Sequence, residues 1–383
     1  MSGFDRAMKI LLLNSEYPPV GGGAGNASAN LARLLAKDNE IILLTSRFDN
    51  FARDEIVDGV RIIRVSALRR RLDRSGLGEQ LAFIVSASFR TLSLVRQFKP
   101  DVTLAFFGLP SGGVAWLLKR IYKIPYVVSL RGGDVPGFRP YDFKLFHKIG
   151  APFLRAIWHD ASSVIANSKG LHDLAVAFDS TMEIPIIPNG VDLEKFSAPA
   201  RDWSTPRLLS VGRIVYQKGL DLAMRALADL KDLPWTWTIA GDGPQMEVLQ
   251  AMAEEHGMKD RVHFLGWQKA EQLKEQYCAA NIFLFPSRHE GMPNAVLEAM
   301  ASGLPVVATR IAGNEELVLN GETGALAPAE DVDALKESLR PLLVDAKMRA
   351  EMGRASRRRV EESFSWKRVA EQYQIILEKS RRL

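Results

Sequence analysis

Residues Phe285 to Gly303 read F-P-S-R-H-E-G-M-P-N-A-V-L-E-A-M-A-S-G. The apolar run Ile282 to Phe285 that leads into them has the length of a buried strand, and the polar residues up to Glu290 make a short loop. Gly291 and Pro293 then open a helix. Proline suits that place because its missing N–H would have no partner there. Ala295, Val296, Leu297, Ala299 and Met300 give the helix a packing face, and Gly303 ends it. A strand feeding through a tight loop into a helix is the unit from which parallel α/β sheets are built.

The same alternation runs along the whole chain. Strands are expected at Met8–Asn14, Glu40–Thr45, Val60–Val65, Asp101–Phe106, Pro125–Leu130, Ser162–Asn167 and Glu183–Ile187. Helices are expected at Asn26–Ala36, about Gly78–Phe98, Ser111–Tyr122, Phe143–Trp158 and Lys169–Phe178. Ser197 to Pro206, with two prolines and few large apolar residues, reads as a linker. Beyond it the pattern restarts, with strands near Arg207–Val211, Trp235–Ala240, Val262–Leu265, Ile282–Phe285 and Pro305–Ala308. Continuous apolar strands between helices indicate parallel sheets covered on both faces. The reading is two doubly wound domains: 1–196, joined by a last helix at 366–383, and 206–365. Ligands of such sheets bind beyond the carboxyl ends of the strands. The loops after Asn14, Leu130, Val211, Ala240 and Phe285 are therefore expected to line one cleft between the halves.

Two carboxylates stand eight positions apart in the opening stretch, Glu290 at the loop tip and Glu298 inside the helix. Eight helical residues span about 12 Å, more than the roughly 5–10 Å that a glycosidase-like carboxylate pair needs. Separate roles on one elongated ligand fit better. The helix start between them presents backbone N–H groups, an anion site. A ligand with hydroxyls at both ends and phosphate in the middle matches this layout, and a nucleotide sugar is such a ligand.

The chain has 383 residues, 47% apolar and 25% charged, with a net charge of +5. Those values describe an ordinary soluble globular protein, and 383 residues suggest two domains. One cysteine, Cys278, excludes an internal disulfide or a cysteine-based zinc site and suits a reducing compartment. No apolar run reaches the length of a membrane span. Residues 1–7 read as a loose leader without a secretory signal, so a cytoplasmic location is expected. Arg61, Arg64, Arg69, Arg70, Arg71 and Arg74 fall together with only Asp73 against them in that run, ahead of a helix carrying Leu81, Ile84, Val85, Leu92 and Val95 at helical spacing. A peripheral contact with anionic lipid on the inner membrane face, or with an anionic acceptor, is expected through 61–74. No nucleic-acid motif appears.

The first loop, Pro18 to Asn26, is P-P-V-G-G-G-A-G-N, whose glycines allow close backbone approach to a ligand. It lacks the third glycine of a dinucleotide fingerprint, and the chain has no G-x4-G-K-[ST] phosphate loop. Val211 to Gly219, V-G-R-I-V-Y-Q-K-G, puts Arg213 and Lys218 in one loop at a carboxyl sheet edge, where a diphosphate needs cationic partners. Gly241-Asp242-Gly243-Pro244 ends the next strand. Arg131-Gly132-Gly133-Asp134 follows the strand at Tyr126–Leu130; Arg131 suits an anionic group and Asp134 sugar hydroxyls, while an internal Arg–Asp ion pair reads equally well.

Taken together, P-P-V-G-G-G, N-G-V-D, G-R-I-V-Y-Q-K-G, G-D-G-P and E-G-M-P-N-A-V-L-E-A-M-A-S-G-L-P-V-V-A-T closely resemble the retaining glycosyltransferases of family 4. The resemblance covers nearly the whole chain. It implies the GT-B type of fold: an α/β chain of two Rossmann-like parallel-sheet domains, acceptor-binding first and nucleotide-sugar-binding second, with the final helix crossing back to the first. It implies transfer of a hexosyl unit to a glycan or lipid-linked acceptor, with no metal and no cofactor beyond the nucleotide-diphosphate sugar co-substrate. Arg213 and Lys218 would neutralise the donor diphosphate. Glu298 would bind ribose hydroxyls. Glu290, with backbone N–H groups of Gly291, Met292, Pro293 and Asn294 (proline itself having none), would hold the donor sugar. Gly22, Gly23 and Gly241 would lie against the donor. Where many relatives carry a sugar-contacting histidine followed by glycine, this chain has Arg131, so Arg131 or Asp134 takes over that contact or the donor differs. A nucleotide-sugar 2-epimerase on a similar fold and a non-catalytic binding protein are the competing readings.

Overall fold

The structure is a computed structural model that describes residues 7–72, 75–138 and 144–382, the side chains of 144–149 excepted. Residues 1–6, Asp73, Arg74, 139–143 and Leu383 lie outside the described residues. The chain divides into two compact units, Met1–Asn189 with Trp366–Leu383, and Gly190–Ser365.

The first unit runs β1 (Lys9–Leu13), α1 (Gly23–Leu35), β2 (Glu40–Arg47), β3 (Asp54–Val57), β4 (Val60–Ser66), α2 (Leu77–Phe98), β5 (Val102–Phe106), α3 (Gly112–Tyr122), β6 (Tyr126–Ser129), α4 (Lys144–Asp160), β7 (Ser163–Ile165) and α5 (Lys169–Phe178). Its sheet has the order β3-β4-β2-β1-β5-β6-β7, parallel except for β3. Strand side chains alternate between faces. Leu11 and Leu13 therefore join the core beneath α2, α3, α4 and α5, while Ile10 and Leu12 face α1. The last helix of the chain, α13 (Trp366–Arg381), completes that second layer through Trp366, Val369, Ala370, Tyr373 and Leu377. Polar contacts add to it: Tyr373 and Ser129 share a hydroxyl hydrogen bond of 2.7 Å, and Asn39 donates to Gln374 at 2.9 Å.

The second unit runs β8 (Arg207–Val211), α6 (Leu220–Ala228), β9 (Thr236–Ala240), α7 (Met246–Glu255), β10 (Val262–Gly266), α8 (Ala270–Ala279), β11 (Ile282–Phe285), α9 (Asn294–Ala301), β12 (Val306–Arg310), α10 (Ala312–Leu317), β13 (Gly324–Pro328), α11 (Val332–Val344) and α12 (Ala346–Ser363). The sheet order is β10-β9-β8-β11-β12-β13, all parallel. The order reverses direction between β8 and β11, which makes that pair the topological switch point. Among the described residues no helix is long and apolar enough to cross a membrane.

Four expectations change. Glu183–Ile187 is not a strand; Ile186 makes a single bridge to Ala166. Strands β3 and β13 were not foreseen, because Asp54-Glu55-Ile56-Val57 and Gly324-Ala325-Leu326-Ala327-Pro328 lack the apolar runs of buried strands. The supposed linker is part of the second unit. Arg201 donates to the carbonyls of Ala280 and Ser302 at 2.5 Å each, and Asn281 donates to Thr205 O at 2.7 Å. These backbone partners are distant in sequence, so composition gave no sign of them. The chain leaves the first unit after Asn189 and returns at Trp366.

The face of α2 also differs. Phe83, Ala87, Thr91, Leu94 and Val95 are its buried residues, while Leu81 and Val85 are 61% and 55% exposed. With Leu77 and Phe89 they form an exposed apolar stripe at four-residue spacing.

Candidate active site

Because β8 and β11 are neighbours, the loops leaving their carboxyl ends run side by side. The loop after β8 is shaped by its backbone. Ile214 N–H donates to Asp242 O at 2.8 Å, and Tyr216–Lys218 make one 3-10 turn that Gly219 closes at φ +62°. A Cβ on Gly219 would stand 2.0 Å from Pro286 O, so only glycine lets the two loops meet. Gly241 plays the same part on the other side, where a Cβ would lie 1.8 Å from Gly212 O.

Arg288, which the sequence reading passed over, staples the loops together. Its backbone N–H donates to Gln217 O and its Nη1 to Tyr216 O, at 2.8 and 2.7 Å. Its guanidinium lies over the Tyr216 ring and pairs with Asp221 and Glu330. Gln217 Nε2 returns a bond to His289 O at 2.8 Å. Partners 42 and 67 residues away leave no local signal for such a role.

The staple brings together what the spacing suggested. Lys218 Nζ stands 2.6 Å from Glu290 Oε1, with the side chains 18% and 12% exposed. The ammonium also lies 4.7 Å from the centroid of the Phe285 ring. Arg213 lines the same small pocket as Lys218, with Gly212, Leu220 and Phe285. Gly291 and Met292 follow Glu290 into α9. Pro293 is the N-cap rather than the first helical residue, so the helix begins at Asn294 without a side-chain cap.

Glu298 lies about one turn inside α9. Tyr277, a second residue the sequence did not flag, donates to Glu298 Oε2 at 2.9 Å. The residue keeps some exposed surface, yet protein closely surrounds the carboxyl. Burial pushes its pKa up to about 7, against the opposing pull of the Tyr277 hydrogen bond and the Lys195 charge.

In the first unit, α1 starts at Gly23, three residues earlier than expected, with Gly22 as its N-cap. The space where a Gly22 side chain would stand is open to 4 Å. Arg131 and Asp134 do not form the ion pair that was one reading of their motif. Asp134 Oδ1 accepts from the N–H groups of Arg131 and Gly132 at 3.0 Å, and Oδ2 accepts from Gly108 at 2.7 Å. Those bonds oppose the rise in its pKa that burial causes. The Arg131 guanidinium donates to Asn189 Oδ1 at 2.7 Å and to the Tyr373 hydroxyl at 3.1 Å, and lies 4.0 Å from the centroid of the Phe106 ring. Both side chains are engaged in holding the loop after β6.

The arginine run is also less free than its composition implied. Arg61 pairs with Asp54 and Arg64 with Glu55, both acids supplied by the unforeseen β3. Arg69 donates to Ser15 O, Arg71 O and Leu72 O. Arg70 and Arg71 are exposed, and Arg74 lies outside the described residues.

Known proteins share this organisation. The family model described as Glycosyltransferase Family 4 matches residues 21–195, and that of Glycosyl transferases group 1 matches residues 193–359. A GDP-mannose-dependent alpha-(1-6)-phosphatidylinositol monomannoside mannosyltransferase of Mycolicibacterium smegmatis is 34% identical over 94% of this chain and 95% of its own. A glycogen synthase of Mycobacterium tuberculosis is 29% identical over 95% and 92%. Among solved structures, sucrose-phosphate synthase from Thermosynechococcus elongatus superposes with a TM-score of 0.85 at 24% identity, covering 97% of this chain and 98% of that one. Two parallel-sheet units, two family models that together span residues 21–359 and a relative aligned over nearly the full length agree: this chain belongs to the family 4 glycosyltransferases and has the GT-B type of fold.

Proposed function

We propose that the chain moves a hexosyl group from a nucleoside-diphosphate sugar to a hydroxyl of a glycan or lipid-linked acceptor, with retention at the anomeric carbon and without a metal. The Lys218–Glu290 ion pair, beside Arg213 and at the entry to α9, carries this reading. Without donor, Glu290 occupies the ammonium. A bound diphosphate takes that place, and the freed Glu290 carboxylate accepts hydroxyls of the donor sugar. The bond from C1 to the β-phosphate oxygen breaks while C1 bonds to the acceptor oxygen on the same face. The acceptor proton passes to the leaving diphosphate. Arg213 and Lys218 stabilise the charge that develops there, the service a metal performs in other transferases. Glu298 accepts the ribose hydroxyls, with Gly241 and the start of α9 completing the donor site. Gly22 and Gly23 are assigned to the donor by their motif. Arg131 and Asp134 act as positioning residues for the loop after β6.

Incubating the protein with a panel of nucleotide sugars, with and without acceptor, tests the reading. Transfer that EDTA leaves unchanged, or slow donor hydrolysis in the absence of acceptor, supports it. Recovery of the donor as its C2 epimer removes it. The mycobacterial relative's name pairs a nucleotide sugar with a lipid-linked acceptor, which favours an acceptor of that class here.

Arg131→Ala separates scaffold from donor contact. The side chain is buried and bonded to Asn189 and Tyr373, so its loss lowers stability by about 1–3 kcal/mol. A scaffold role leaves the donor KM of the folded variant unchanged; a rise of tenfold or more at retained stability restores the direct donor contact.

The exposed stripe of α2 and the exposed Arg70 and Arg71 support peripheral association with an anionic membrane on the cytoplasmic side. Arg70→Glu with Arg71→Glu is expected to abolish cosedimentation with phosphatidylglycerol-containing vesicles. Cosedimentation equal to that of the original chain, or none by either protein, ends this part of the proposal.

A further inference from the structure

The first unit contains a cavity of about 430 Å³, inside the size range of small-ligand sites. Arg47, Arg53, Asp54, Arg64, Ser86 and Arg90 line it. They come from the end of β2, the start of β3, the middle of β4 and one face of α2, so the fold converges them and no local sequence run does. Strand alternation turns Arg64 and its partner Glu55 to the face of the sheet away from α2; with the adjacent Arg61, the guanidinium groups of Arg47 at the end of β2, Arg53, Arg61 and Arg90 stand against the one carboxylate of Asp54. Asp54 is held by Arg61 at 2.6 and 3.0 Å, and Glu55 by Arg64 at 2.6 Å. The acids are spent and the excess is positive. Gathering like charges raises the free energy of the ligand-free chain, and an anion in the cavity offsets that repulsion.

The guanidinium groups are also held in place. Arg47 Nε donates to Phe51 O at 3.3 Å and Arg90 Nη1 to Ser93 Oγ at 3.1 Å. A guanidinium has five N–H donors in a planar fork that matches phosphate oxygens, and the hydroxyl of Ser86 adds another donor. We propose that this cavity is a binding site for a phosphate group, carried either by a membrane lipid or by a soluble phosphate-bearing molecule. It is distinct from the diphosphate-binding role proposed for Arg213 and Lys218, and does not depend on it. On α2, the exposed Val85 and Phe89 adjoin Ser86 and Arg90 in sequence, so the acyl part of a lipid would find apolar surface beside the cavity.

The test removes the donor-site cations first. In Arg213→Ala/Lys218→Ala protein, inorganic phosphate is expected to bind saturably by phosphorus NMR line broadening. Adding Arg53→Ala and Arg90→Ala is expected to weaken that binding about tenfold or more, with unchanged thermal melting. Arg53→Lys and Arg90→Lys keep the charge without the fork and retain part of the affinity. Saturable binding absent from the Arg213→Ala/Lys218→Ala protein, or unaffected by the added alanines, overturns the site. The source is read from the otherwise native chain carrying Arg53→Ala and Arg90→Ala. Reduced cosedimentation with mixed phosphatidylglycerol and phosphatidylcholine vesicles, relative to phosphatidylcholine alone, assigns a lipid. Unchanged cosedimentation alongside lost phosphate binding assigns a soluble phosphate.

Discussion

Lys218→Ala lowers kcat by about 10²–10³-fold, the usual cost of removing one donor aimed at charge that develops in the transition state. On the mechanism proposed above, negative charge grows on the diphosphate as the bond from C1 to the β-phosphate oxygen breaks. The ammonium assigned to that charge is fixed by the 3-10 turn, by Gly219 and by the packing of Phe285. Since that charge is larger in the transition state than in the bound donor, kcat falls more than KM rises. Arg213→Ala acts on the same diphosphate, so the two losses combine less than additively.

Stability provides a second readout. Lys218 and Glu290 are both mostly buried, and Lys218→Ala leaves Glu290 with no ammonium partner. A thermal melt should record a loss that Glu290→Gln, added to Lys218→Ala, partly restores, because a buried charge without its partner is what costs free energy. If Lys218→Ala turns over at the native rate with a native fold, the diphosphate is held elsewhere and the donor site has been misplaced.

What could be read without coordinates follows from how locally each feature is encoded. The β11–α9 unit was legible because an apolar strand, a glycine, a proline and a helical packing face all lie within 22 residues. The cationic loop after β8 was legible because a strand end, two cations and a closing glycine are contiguous. Arg288 was not, since its role exists only once Asp221 and Glu330 have been folded against it. The buried face of α2 was misread for a related reason. Apolar residues surround that helix on more than one side, so periodicity alone offers both Leu81–Val85 and Phe83–Ala87, and only packing chooses. The arginine run misled because its counter-ions, Asp54 and Glu55, arrive from a charged edge strand that apolar patterning does not reveal. Tyr277 and Glu298 show the remaining limit: the pairing joins α8 to α9 across β11, and neither residue alone signals it.

Donor affinity should rise with pH through about 7, and Glu298 is the cause. In the ligand-free protein burial keeps this carboxyl protonated to near neutrality. Ribose hydroxyls donate hydrogen bonds and need the ionised form as acceptor, so binding below pH 7 must first release a proton. Isothermal titration of the best nucleotide sugar, in buffers of different ionisation enthalpy, should show that release at about pH 6 and its disappearance near pH 8. Tyr277→Phe removes a hydrogen bond that holds the carboxyl down, so the midpoint moves upward. Glu298→Gln cannot ionise; its donor affinity is flat across the range and weaker by about 10²-fold, the worth of two hydrogen bonds to a charged acceptor. Stability moves the opposite way. A folded pKa of about 7 lies above the ordinary 4.5, so the carboxyl contributes stability that is complete below pH 4.5 and lost as pH rises through 7. Glu298→Gln should therefore equal the native chain in acid and exceed it at pH 8 by about 1–3 kcal/mol, allowing for the residue's remaining exposure. A variant that binds donor more weakly yet melts higher, and only above neutrality, is the signature of a carboxylate kept in place for its ligand at the expense of the empty fold. Affinity independent of pH in the native chain, or Glu298→Gln binding as tightly as Glu298, would remove this residue from the donor site.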